Sequence, residues 1–176
     1  MDIEKCDLGT VISFGSLQDF SMKLQQEGKR IADVIDQTDK NGMSLLEISL
    51  AAGNFDVAKF LLTNNSKVNI VSKEGCNEFH YIAGNLRYEG ALETAELLLE
   101  KGTSLVHKDS KYGNPAFFTL CQEVFKFRSE EALNFLEKCL KRIDNYDDCN
   151  RAGFSIRMLI DQRGTERLKQ IMENRE

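Results

Sequence analysis

Apolar residues along this chain fall into short stripes at helical spacing, arranged in pairs and punctuated by glycine. The clearest pair lies in residues 39–69, DKNGMSLLEISLAAGNFDVAKFLLTNNSKVN, where Gly53 separates two apolar helical stretches. The first stretch has relatives that each follow a glycine: NGMSLLEISLA after Gly42, EGCNEFHYIAG after Gly75, YGNPAFFTLCQ after Gly113 and AGFSIRMLIDQ after Gly153. The second stretch has relatives in ALETAELLLEKG, SEEALNFLEKCL and TERLKQIMEN. In the last copy, Leu168, Ile171 and Met172 keep an apolar stripe while Arg163, Glu166, Arg167, Lys169, Gln170 and Glu173 are polar. One helix pair cannot bury both of its apolar faces, so stacked neighbours complete the core and the end units turn a polar side outward. The pattern predicts an all-α stack of about five helix pairs, joined by short turns or β-hairpins. Residues 1–38 read as a degenerate first copy, with apolar positions Val11, Ile12, Phe14, Leu17, Phe20 and Leu24.

The copies are unevenly spaced, by 33, 38 and 40 residues between their leading glycines. From Gly42 to Gly53 and from Gly153 to Gly164 there are 11 residues, but from Gly75 to Gly90 and from Gly113 to Arg128 there are 15. Two adjacent copies therefore carry four extra residues at the same place. The remaining one and three extras fall in the connections 106–112 and 144–152. Four residues is about one helical turn, so these copies have either longer first helices or bulged inter-helix loops.

At these positions the chain resembles the ankyrin-repeat family, whose unit reads roughly D-x-x-G-x-T-P-L-H-x-A-A-x-x-G-H, then an apolar helix, then G-A-x-x-N. Asp39, Gly42, Ser44, Leu46, Gly53, Asn54, Leu61, Leu62, Ser66 and Asn69 match or conservatively replace that pattern. Gly75, His80, Ala83, Leu98, Leu99 and Gly102 do so in the second copy. Threonine-proline is nowhere intact, and Pro115 lies one place early. The resemblance implies one ankyrin-repeat solenoid over residues 1–176, with end copies at 1–38 and 148–176 around central copies at 39–71, 72–109 and 110–147. It also implies that His80 hydrogen-bonds turn backbone. His107, in a connecting turn, reads as a solvated residue.

Composition narrows the function classes. The net charge is −5, with a pI near 5.2. Phosphate binding wants clustered Lys and Arg, so no nucleic-acid partner is expected. Five cysteines (Cys6, Cys76, Cys121, Cys139, Cys149) are odd in number and form no C-x-x-C pair, which reads as reduced thiols in a cytoplasmic protein. MDIEKCDLGT carries acid where a secretory leader needs base, and no apolar run approaches the ~20 residues of a membrane span. No membrane partner is expected.

Catalytic patterns are missing: there is no H-E-x-x-H and no G-x-S-x-G. GNLRYEG at 84–90 lacks the Gly-Lys-Ser/Thr ending of a phosphate loop, and NYDDCNRAG lacks the ligand order of a calcium loop. Glu130 and Glu131 open a helix, where its dipole favours acid. No enzyme activity, catalytic residue, metal, cofactor or small-molecule substrate is expected.

What remains is a surface. The resemblance implies a concave face built from turn tips and the exposed sides of the first helices. The tips are Lys40, Asn41 and Met43; Lys73, Glu74 and Cys76; Lys111, Tyr112 and Asn114; Arg151, Ala152 and Phe154. The matching helix positions are Ala51 and Ala52, Gly84 and Asn85, Gln122 and Glu123, Gln162 and Arg163. Each tip carries one cation (Lys40, Lys73, Lys111, Arg151), which suits either plain solvation or an acidic partner. Tyr112 and Phe154 on that edge favour protein contact, because aromatics are enriched at hot spots. The paired insertion adds Leu86, Arg87, Tyr88 and Glu89, and beside them Val124, Phe125, Lys126 and Phe127. From it Arg87, Tyr88, Phe125 and Phe127 join the candidate contacts, either as a binding ridge or as mutual packing. The expected function is non-enzymatic protein binding, as a stand-alone inhibitor or immunity protein, or else as a scaffolding subunit of a stable complex.

Overall fold

The computed structural model of the chain describes residues 2–174; Met1, Arg175 and Glu176, where the first and last copies begin and end, lie outside them. Among the described residues the secondary structure is helical: α1 Leu8–Phe14, α2 Leu17–Gln26, α3 Ile31–Val34, α4 Leu45–Ala52, α5 Phe55–Thr63, α6 Glu78–Ala83, α7 Ala91–Glu100, α8 Ala116–Phe127, α9 Glu130–Leu140, α10 Ile156–Arg163 and α11 Glu166–Glu173. A short 3-10 turn, Ile3–Lys5, precedes them. No helix among the described residues is long and apolar enough to cross a membrane.

The helices begin where the sequence supplies caps. Asp7, Ser16, Ser44, Asn54, Ser129, Ser155 and Thr165 each accept a hydrogen bond from a backbone N–H of the first turn. Such a cap contributes about 1 kcal/mol. At Ser44 the bond is reciprocal, with the Glu47 carboxylate accepting the Ser44 N–H at 2.7 Å.

Packing then follows the predicted pairing. α1 with α2, α4 with α5, α6 with α7, α8 with α9 and α10 with α11 form five pairs, and α3 is an added turn outside them. The first helices stack in the order α1, α4, α6, α8, α10, and the second helices in the order α2, α5, α7, α9, α11. Between the two layers lie Leu46, Leu50, Leu61, Phe79, Ile82, Leu98, Phe117 and Phe135, each fully buried. Phe79 of α6 tilts against Phe135 of α9 with ring centroids 6.4 Å apart. Leu168 and Met172 of α11 complete the core, while Glu166, Arg167, Gln170 and Glu173 face out.

The extra residues have separate fates. In the third copy they lengthen the first helix: α8 has 12 residues where α4 has 8. It ends at Arg128, which adopts the left-handed conformation at φ +52°. In the second copy α6 stops after 6 residues, and 84–90 form a bulged loop instead. Gly84 is a poor helix former, and the Asn85 side chain is engaged across the stack, where its Nδ2 donates to the Leu50 and Ala51 carbonyls at the end of α4. The single extra residue of the third copy lies within the turn, where Gly113 is four places after Asp109 while Gly42 is three after Asp39. Of the three extras expected in 144–152, two instead lengthen α9, which has 11 residues against 9 in α5.

Candidate functional site

Four turns line one edge of the stack, at 39–43, 72–76, 109–114 and 150–154, and each is closed by its own first residue. The Asp39 Oδ1 accepts the Asn41 and Met43 N–H groups, and the Asn150 Oδ1 accepts those of Ala152 and Phe154. Ser72 does less, accepting the Cys76 N–H at 3.3 Å. Asp109 does more: Oδ1 takes the Lys111 and Tyr112 N–H groups at 2.8 and 2.6 Å, and Oδ2 takes that of Asn114 at 2.9 Å. Burial would raise this carboxyl, but those three N–H groups outweigh it and hold the pKa below its usual value. Gly42, Gly75, Gly113 and Gly153 complete the turns at φ of +77°, +73°, +66° and +81°, where a side chain is strained.

Neighbouring tips are bonded to one another. The N–H groups of Lys73, Ser110 and Arg151 donate to the carbonyls of Asn41, Glu74 and Tyr112 at 2.8, 2.8 and 2.9 Å. Isolated bridges pair Thr38 with Ser44 and Lys108 with Pro115, so two of the turns are hairpin-like. Histidines tie this edge further. The His80 Nε2–H donates to the Asn114 carbonyl at 3.1 Å, as the resemblance implied, and burial pushes its pKa down, keeping the ring neutral. His107 is not the solvated residue expected. It is half-buried, and its Nε2–H donates to the Gly75 carbonyl at 3.0 Å.

Most candidate residues are displayed on this edge. Lys40, Asn41, Lys73, Glu74, Lys111, Tyr112, Arg151 and Phe154 are exposed, with Tyr112 at 54% and Phe154 at 49%. Met43 is half-buried in the wall of a groove of about 1000 Å³ with Phe14, Lys40, Ile48, Ala51 and Ala52. Asn114 is half-buried, and its Oδ1 accepts from Asn150 Nδ2 at 2.7 Å, so its side chain joins two tips. A second groove, about 530 Å³, is walled by Glu74, Cys76, Lys111, Tyr112, Thr119 and Gln122. Burial pushes the Cys76 thiol up to about 11, so it is protonated at neutral pH.

The insertions divide. Arg87 and Tyr88 are exposed, and with Leu86 and Phe127 they border a groove of about 410 Å³. Phe127 is half-buried and packs on the core. Phe125 is only 3% exposed, under the guanidinium groups of Arg128 and Arg163, and therefore cannot be a contact residue. The added turn in α8 carries it inward together with Val124. Asn85 also leaves the surface set, because it caps α4.

Sequence reasoning missed Phe14, read as an apolar framework position yet 81% exposed, and Met158, 45% exposed near Phe154 in sequence. Phe14 could have been found: at 100° per residue it lies about 110° from the centre of the stripe formed by Leu8, Val11 and Ile12. Among the described residues no three His, Cys, Asp or Glu side chains gather to hold a metal.

No family model and no curated protein sequence matches this chain. Among solved structures it is similar to a chain of the complex between the Bd0816 predatory endopeptidase from Bdellovibrio bacteriovorus and the immunity protein Bd3460. The TM-score is 0.66 at 18% identity, covering 94% of this chain and 79% of that one. At that identity the likeness is one of fold.

Proposed function

We propose that the chain is a protein-binding module of ankyrin-repeat type, which acts by occupying a partner's surface as an inhibitor or immunity protein does. One observation carries this reading. Tyr112, Phe154 and Phe14, from separate parts of the stack, are left exposed on or beside the tip edge while comparable aromatics such as Phe79, Phe117 and Phe135 are fully buried. Aromatic side chains are enriched among the residues that anchor protein interfaces. The bonds from tip to tip hold that edge in one shape before a partner arrives, which lowers the ordering cost of association. The fold shared with a chain of an endopeptidase–immunity protein complex supports the immunity-type reading.

Chemistry of its own is not part of this proposal. The Cys76 thiol is raised, and the imidazoles of His80 and His107 are tied to turn carbonyls. Free thiols at all five cysteines support a reducing, cytoplasmic setting. The test is to capture the partner of the tagged chain from its source cells and map amide hydrogen exchange in the purified complex. Protection confined to the tips and the first-helix grooves supports the reading. A chain that yields no stoichiometric partner, or protection confined to α5, α7 and α9, overturns it.

A further inference from the structure

We propose that the tip edge docks an acidic segment of the partner protein, anchored at the enlarged third tip. This rests on the protein-binding reading above and adds the chemistry of what is bound.

On the second-helix layer three cations are tied across the stack: Lys59 to Glu93 at 2.9 Å, Lys138 to Glu96, and Arg167 to Glu137 at 2.9 Å; Lys23 and Lys169 pair with near neighbours in sequence. On the tips, Lys40, Lys73, Lys111 and Arg151 form no ion pair among the described residues, although the chain as a whole carries −5. Within the four turns there are three carboxylates, and Asp7 lies near Lys40 beside the first turn. Two of the three, Asp39 and Asp109, direct oxygens at turn N–H groups and so do not face outward as partners. Glu74 is the third. A row of outward cations in a net acidic protein attracts acidic groups locally and steers their approach.

The third tip adds geometry to the charge. Its extra residue makes it longer than the others, and three N–H bonds to one buried aspartate hold it rigid. The Lys111 Nζ sits over the exposed Tyr112 ring, 4.7 Å from its centroid, so a cation and an aromatic face are presented together beside the 530 Å³ groove. A carboxylate flanked by an apolar group would meet both.

The test uses the whole chain and three probes: a short Glu-rich peptide containing Phe, a Lys-rich peptide of the same length, and phosphatidylserine vesicles. The Glu-rich peptide is expected to bind, to weaken with added salt, and to shift amide resonances in 39–43, 72–76, 109–114 and 150–154. The combined Lys40→Glu, Lys73→Glu, Lys111→Glu and Arg151→Glu variant is expected to weaken that binding by about tenfold or more. The corresponding set of Gln substitutions gives an intermediate loss and decides the matter if the Glu set does not fold. Equal binding of the Lys-rich peptide or of the vesicles, no binding of the Glu-rich peptide, or shifts elsewhere overturns the proposal. The captured partner separates the two readings. If the charge variant keeps it while Tyr112→Ala with Phe154→Ala loses it, the acidic segment falls and protein binding stands. If both variants keep it, both fall.

Discussion

Gly75 approaches Ser110 so closely that a Cβ at position 75 would stand 2.2 Å from the Ser110 hydroxyl oxygen and 2.6 Å from its backbone nitrogen. That contact is where the second tip bonds to the third, through Glu74 and the Ser110 N–H. A Cβ at Gly153, which has a similar positive φ, would meet nothing within 4 Å among the described residues. The two positions therefore separate the cost of backbone conformation from the cost of crowding.

Gly153→Ala is expected to cost about 1 kcal/mol, the conformational term alone. Gly75→Ala is expected to cost about 2–4 kcal/mol, because Ser110 must also shift. Chemical denaturation of both variants checks this; equal losses would show that the tips do not press on one another.

A second prediction concerns pH. Glu47 is fully buried; its Oε2 accepts the Ser44 N–H, and its Oε1 has no partner among the described residues. Burial raises its pKa to about 7, and Glu78 on the neighbouring helix is raised by the same cause. The folded state then holds a proton that the unfolded chain gives up near pH 4.5, so stability falls as pH rises from there through about 7. The loss from Glu47 is on the order of 3 kcal/mol. Glu47→Gln cannot ionise and is expected to flatten this part of the profile. The difference between the two profiles, measured by urea unfolding from pH 4.5 to 8, is the readout; parallel profiles would place the group in water.

Gly84 closes α6 in helical conformation, at φ −65°, and a Cβ there meets nothing within 4 Å among the described residues. Gly84→Ala is therefore expected to stabilise the fold by about 0.5–1 kcal/mol, through a less flexible unfolded chain and better helix propensity. A lowered melting temperature would mean that the 84–90 loop needs the glycine for a reason its geometry does not display.

The helix pairs were legible because the signal is local: a turn glycine and two apolar stripes recur together. The tips were legible for the same reason, and Tyr112 and Phe154 stand exposed where the pattern put them. The insertions were legible in position and length but not in form. Whether four residues extend a helix depends on what Asn85 can reach across the stack and on Arg128 accepting a left-handed conformation. Neither is written in a stripe. The inward turn of Phe125, the bond from His107 to Gly75 and the complete burial of Glu47 are likewise set by neighbouring copies.

Phe125 and the pair Tyr112 and Phe154 make the most direct measurement: partner affinity and melting temperature, taken together on the same variants. Phe125→Ala is expected to cost about 3–5 kcal/mol of stability, since a 3% exposed aromatic leaves a cavity. Tyr112→Ala with Phe154→Ala is expected to leave the melting temperature within about 2 °C of the parent and to weaken binding of the captured partner by about 100-fold. An unchanged affinity in that double variant, with the fold intact, would contradict the claim that this edge is where the protein binds.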